Sequence, residues 1–141
     1  MKLAASILAL SLLIPTTIHG QYLDAVIPVG TRPTKVLWNP TSNKVYVSNT
    51  YSNTVTIING SDNSVITTLQ VPTGPLEMVW NSRDNKVYAV CGEGNRVAVI
   101  CGYGDTLIRR VHVSGWPTRL TYCETDGVPP VHWTLGVVSV A

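Results

Sequence analysis

Between residues 33 and 112 the chain alternates apolar and polar positions in runs of five to seven, each run broken by a cluster of Asn, Gly, Ser, Asp or Pro. Alternation with period two, rich in Val, Ile, Thr and Tyr, is what a half-buried strand requires. The pattern predicts strands at Thr34–Trp38, Lys44–Ser48, Thr54–Ile58 and Ser64–Gln70. It then predicts Leu76–Trp80, Lys86–Val90, Arg96–Ile100 and Thr106–Val111. The breaks carry their own turn chemistry: Asn39-Pro40, Asn49 through Asn53, and Asn59-Gly60-Ser61-Asp62-Asn63 hold residues that tolerate positive φ or fix a bend. Turns every 8–12 residues are an all-β signature.

The two sets of four strands are copies of each other. PTKVLWNPTSNKVYVSN at 33–49 returns as PLEMVWNSRDNKVYAVC at 75–91, an offset of 42 without a gap. Over 33–74 against 75–116, 13 of 42 positions are identical, among them Trp38/Trp80, Val45/Val87, Asn53/Asn95, Ile58/Ile100 and Gly60/Gly102. They fall on strand interiors and turn corners, where one unit packs on the next. Four short strands at a fixed period of this length make a propeller blade. The expected fold is therefore all-β: a partial β-propeller of about two and a half four-stranded antiparallel blades, at 33–74, 75–116 and an incomplete 117–127.

Both ends depart from the repeat. Leu23–Val29 aligns onto Val65–Val71 and reads as the outermost strand of another blade, or as a lone edge strand. The third repeat opens on schedule at Pro117, with Tyr122 in the tryptophan slot. Its second strand is due at Val128–Trp133, but Pro129 and Pro130 would each remove a ladder donor there. Residues 128–141 are expected to be a divergent tail, either a genuine end or a partial or frame-shifted reading of a longer gene. A blade buries its faces only against neighbours, and a ring takes four to eight, so further blades or self-association are expected.

Composition narrows the setting. Met1–Gly20 has one lysine followed by the apolar run LAASILALSLLIP, the plan of a signal peptide and too short for a transmembrane span. With cleavage near Gly20–Gln21 the protein is expected to be exported, with no transmembrane segment left after cleavage. Only 13% of residues are charged and the net charge is +2, so no basic patch tracks nucleic acid. Export places Cys91, Cys101 and Cys123 in an oxidising compartment. Cys91 and Cys101 end successive strands at opposite ends of one hairpin, roughly 17 Å apart and too far for a disulfide. Cys101 and Cys123 fall at the same end of the array and could pair; the alternative is buried free thiols standing for Asn49 and Asn59 of the first repeat.

Asn43-Lys44-Val45-Tyr46-Val47-Ser48-Asn49 resembles the Tyr-Val-Thr-Asn signature of YVTN-family β-propellers, found in archaeal and bacterial surface-layer and periplasmic proteins. The matching run VGTRPTKVLWNPTSNKVYVSNTYSNTVTIING covers nearly all of the first blade; the second carries Tyr88-Ala89-Val90-Cys91 at the motif. The resemblance implies an exported, often seven-bladed propeller serving in surface interactions or as part of a larger enzyme.

Candidate chemistry gathers at one loop position. Arg32, Gly74 and Trp116 occupy the connection from an outer strand to the next inner strand, and Lys35, Glu77 and Arg119 follow on the inner strands. In a propeller these positions rim the channel mouth, giving a polar site with Trp116 as an aromatic platform. Ordinary solvated loop ends are the competing reading. Trp38, Trp80 and Tyr122 share a register and read as packing between blades. No metal site is expected, because His112 and His132 lack ligands at useful spacing. Gly92-Glu93-Gly94 and Gly102-Tyr103-Gly104 are hairpin turns without the third glycine of a dinucleotide fingerprint. The acids fall mostly in turns, so no catalytic set is expected and no cofactor is implied. The expectation is a non-enzymatic binding or scaffold module at the cell surface or periplasm, taking a protein or glycan ligand. The alternative is the propeller part of a periplasmic enzyme such as a quinone-linked dehydrogenase subunit.

Overall fold

The computed structural model describes residues 25–122 and the backbone of a strand at Val137–Val140. Strands β1 (Pro33–Asn39), β2 (Lys44–Asn49), β3 (Thr54–Asn59) and β4 (Val65–Gln70) form one antiparallel sheet in sequential order. Strands β5 (Pro75–Asn81), β6 (Lys86–Cys91), β7 (Arg96–Cys101) and β8 (Thr106–His112) form a second sheet of the same order. These are the two expected blades; seven of the eight strands run a residue or two longer than expected, and β4 begins at Val65 rather than Ser64.

The period of 42 is written into the backbone as well as the sequence. Left-handed φ angles recur at Arg32, Gly74 and Trp116 (54°, 71° and 44°), at Asn43 and Asn85, at Asn53 and Asn95, and at Asn63 and Asp105. Asn and Asp tolerate this region by local side-chain bonding, which explains why asparagine punctuates both repeats. The same stitches recur too: the Gly60 amide donates to the Asn43 carbonyl at 2.9 Å, and Gly102 to Asn85 at 2.8 Å. A Cβ on Gly60 would lie 2.9 Å from that carbonyl, and one on Gly102 2.6 Å from its counterpart, so both turns require glycine.

Each blade has two faces. Residues Tyr46, Val55, Ile57 and Leu69 of blade one meet Met78, Trp80, Val87, Ala89, Cys91, Ala98 and Ile100 of blade two in one continuous apolar core. Val90 and Val97, on the far face of blade two, pack with Leu120 of β9 (Arg119–Tyr122) in a second, smaller cluster. Burial pushes the Cys91 thiol up to about 12, and it makes only a weak contact to the Ala89 carbonyl at 3.7 Å. Cys91 and Cys101 are free thiols, while Cys123 lies outside the described residues.

Polar groups cross the main interface at defined points. The Asn39 amide donates to Asn85 Oδ1 at 2.8 Å, and the Trp80 indole donates to the same oxygen at 3.0 Å. Asn85 Nδ2 is buried without a partner. In blade one the equivalent Asn43 Nδ2 donates to Ser61 Oγ at 2.8 Å, but Tyr103 stands in place of that serine. Lys44 reaches across to the Asp105 carboxylate at 2.7 Å, with both side chains largely buried.

The ends differ from the sequence reading. Residues 25–30, most of the stretch aligned with an outer strand, carry no strand among the described residues. An outer strand has only its neighbour to pair with, and among the described residues no third strand of a preceding blade lies beside it. At the other end β9 begins a third blade where expected, but it pairs with β10 (Val137–Val140) in parallel. A parallel neighbour needs a connection of a dozen or more residues, which 123–136 supplies. The prolines at 129 and 130, and the second strand due at 128–133, lie outside the described residues.

Candidate functional site

The inner strands β1, β5 and β9 lie side by side and together line an open groove of about 480 Å³. Two of the candidate site residues meet there and a third lies beside them. Lys35 Nζ lies 2.6 Å from Glu77 Oε1, linking β1 of blade one to β5 of blade two. Arg119 on β9 lines an adjoining hollow of about 340 Å³ with Glu77, Leu120 and Thr121. Positions 35, 77 and 119 are one repeat apart, so the row reads cation, anion, cation across three consecutive inner strands. The Lys35–Glu77 pair is partly solvated, which limits its worth to about 0–1 kcal/mol and leaves both groups free to exchange partners.

Arg32 and Trp116 stand apart from that groove row, at the rim. Arg32 lies over the Tyr51 ring at 4.5 Å and donates to the Tyr51 hydroxyl. Trp116 is 57% exposed, and its backbone amide donates to Asn95 Oδ1 at 3.0 Å. The same bond runs from Gly74 to Asn53 Oδ1 at 2.9 Å in blade one. The fold asks for a left-handed residue at this position. Blade two opens with glycine there, whereas Arg32 and Trp116 adopt the same φ at a cost of roughly 1 kcal/mol each.

Tyr51 escaped the sequence reading. It sits at the tip of the β2–β3 turn, 64% exposed, and holds Arg32 flat against the rim. The only signal was an aromatic residue inside a polar turn. Glu93 occupies the matching turn position in blade two, where its side chain lies against Gly74. The rim thus carries Arg32 and Tyr51 on blade one, Glu93 on blade two and Trp116 at the start of blade three.

Trp80 fills the blade interface as expected of it. Trp38, its equivalent, is 50% exposed, and among the described residues no blade packs on that side. Among the described residues no group of three or more His, Cys, Asp or Glu side chains could hold a metal ion. No helix among them is long and apolar enough to cross a membrane.

Two complete blades, the inner strand of a third and a shared inner groove define a partial β-propeller. Solved structures agree on the fold. The chain is similar to hydrazine synthase from Kuenenia stuttgartiensis, with a TM-score of 0.59 at 19% identity over 70% of this chain and 28% of that one. It is similar to apo AztD from Citrobacter koseri (TM-score 0.56, 17% identity, 65% of this chain and 26% of that one). The β-propeller domain of Cps50 (Swd1) from Myceliophteria thermophila gives TM-score 0.56 at 17% identity, over 65% of this chain and 28% of that one. The chain thus spans less than a third of the length of each. No family signature and no curated protein matches it.

Proposed function

We propose that the chain is an exported, non-enzymatic binding module of the YVTN type, which holds a protein or glycan ligand at the groove and rim of its inner strands. The observation that carries this reading is the charge row of Lys35, Glu77 and Arg119, contributed at equivalent positions by three consecutive inner strands. Exposed Trp116 and the Arg32–Tyr51 pair above it add aromatic faces, the groups that grip sugars and peptides at low entropic cost. Two strained residues at the rim fit the tendency of strain to collect at functional positions.

Binding to a printed glycan and peptide array tests the proposal. Ligands retained by the wild-type protein should be lost when Arg32, Lys35, Glu77, Trp116 and Arg119 are replaced together by alanine or glycine. Unchanged retention would remove the groove from consideration. Export is tested separately, by expressing residues 1–141 in a bacterium and sequencing the N-terminus of the recovered protein. The signal reading predicts a start at Gln21, and an intact Met1 in the cytoplasmic fraction contradicts it.

A further inference from the structure

We propose that the groove and rim select a peptide segment of alternating charge, seated with a lysine or arginine over blade two and a carboxylate on either side of it. The proposal rests on reading the inner strands as a binding site, and it names the ligand class that their charge order fits.

The groove row is cationic at Lys35, anionic at Glu77 and cationic again at Arg119. The rim reaches a matching order by a different route. Blade one carries Arg32 there, and the equivalent residue of blade two is Gly74. A Cβ on Gly74 would lie 3.1 Å from Glu93 Cγ, so the acid fills the space that a side chain at 74 would need. Blade two therefore presents Glu93 at the rim where blade one presents Arg32. Trp116 stands next to it: a Cβ on Gly92, the residue before Glu93, would lie 3.2 Å from the indole Nε1. An exposed indole beside a carboxylate favours an ammonium or guanidinium group.

Blade one is thus cationic at both levels, through Arg32 and Lys35, and blade two anionic at both, through Glu77 and Glu93. Among the described residues Glu93 and Arg119 take part in no ion pair, while Lys35 and Glu77 hold each other at 2.6 Å. That pair is partly solvated and exchanges at little cost. A ligand carboxylate can take Lys35 only if something else takes Glu77. A ligand of alternating charge supplies both partners at once, whereas a chain of one sign strands one member of the pair and meets like charge beside it. An uncharged sugar gains nothing from the order.

The test is retention of the 141-residue protein on a printed array. The array carries end-blocked peptides that are Glu-Lys alternating, all-Glu, all-Lys or uncharged Ser-Gly, beside neutral and uronic-acid oligosaccharides. Alternating peptides should retain the protein about tenfold better than the rest at low salt, and lose that margin near ~1 M salt. Lys35→Glu combined with Glu77→Lys keeps an ion pair but breaks the order, so it should remove the margin while the melting temperature stays in place. Glu93→Gln, at an exposed position outside that pair, should reduce the margin severalfold and serves if the double variant does not fold. Equal or better retention on all-Glu peptides or on oligosaccharides, lost on replacing the five groove and rim residues together, overturns the ligand class and keeps the binding reading. Retention on alternating peptides that neither variant alters puts their contact elsewhere and overturns the proposal. No retention on any spot overturns the proposal and the binding reading together.

Discussion

Lys44 Nζ lies 2.7 and 2.8 Å from the two carboxylate oxygens of Asp105, tying the second strand of blade one to the β7–β8 turn of blade two. The two side chains are only 14% and 15% exposed. One repeat on, Lys86 occupies the same position, and here it turns to Asp84 of its own blade at 3.0 Å. That local contact, first through its hydrogen bond and then through the Asp84 charge, holds the Lys86 ammonium above its ordinary pKa. The two lysines are equivalent in sequence but differ in their surroundings: Lys44 meets the β7–β8 turn of the next blade, whereas Lys86 has Asp84 two residues before it where Lys44 has Ser42.

Lys44→Met therefore removes one partner of a largely buried pair and leaves Asp105 facing an apolar interface. The expected loss is on the order of 3 kcal/mol in urea unfolding. Lys86→Met should leave the midpoint where it is. Equal effects of the two substitutions would show that the pair contributes nothing particular to the joint between blades.

Gly60→Ala and Gly102→Ala should each destabilise the fold by about 1–3 kcal/mol, because the new methyl group would meet the backbone carbonyl of Asn43 or Asn85 at 2.9 or 2.6 Å as well as the side chain of the same asparagine. Gly104→Ala is the control, since its Cβ would find only ordinary contacts at 3.8 Å. Thermal melts of the three variants check the ordering.

Trp38→Phe and Trp80→Phe separate the two halves of the repeat. Trp80 packs into the core and donates to Asn85 Oδ1, so its loss should cost about 1–2 kcal/mol. Trp38 is half in water, and its replacement should cost under about 0.5 kcal/mol. Acrylamide quenching should fall on replacing Trp38, which is half exposed, and rise on replacing Trp80, which is packed in the core.

Stability should be flat through neutral pH and fall in alkali. Burial raises the Cys91 thiol from 9.0 to about 12, and burial followed by the charge of Asp105 raises the Tyr46 phenol from 10.0 to about 12. Each folded-state pKa lies above its unfolded value, so the neutral forms are held by the fold. Their contribution is complete below about pH 9 and is lost as pH rises from there through about 12. Tyr46→Phe should remove the part of the decline that begins near pH 10, as read from melting temperature against pH.

The repeat made the blades readable from sequence. Trp38 and Trp80, Val45 and Val87, and Gly60 and Gly102 gave strand order, turn positions and register, because a period-two pattern and a 42-residue period both act locally. What the sequence hid was contact between blades. Asn39 and Asn85 look like turn residues, and nothing local shows that one donates to the other across 46 positions. The Arg32–Tyr51 pair stayed hidden for the same reason, whereas the meeting of Lys35 with Glu77 was implicit in their equivalence. The parallel pairing of β9 with β10 was out of reach, since β10 follows no repeat.

The most direct test of blades stacked at a spacing of 42 residues is one nuclear Overhauser contact. The Asn39 side-chain amide and the Trp80 indole N–H donate to a single oxygen, Asn85 Oδ1, from 2.8 and 3.0 Å. Their protons, on different blades, should therefore show a strong cross-peak that Asn85→Ala weakens or abolishes. Intact strand pairing within each blade without that cross-peak would mean that the two sheets do not stack as described.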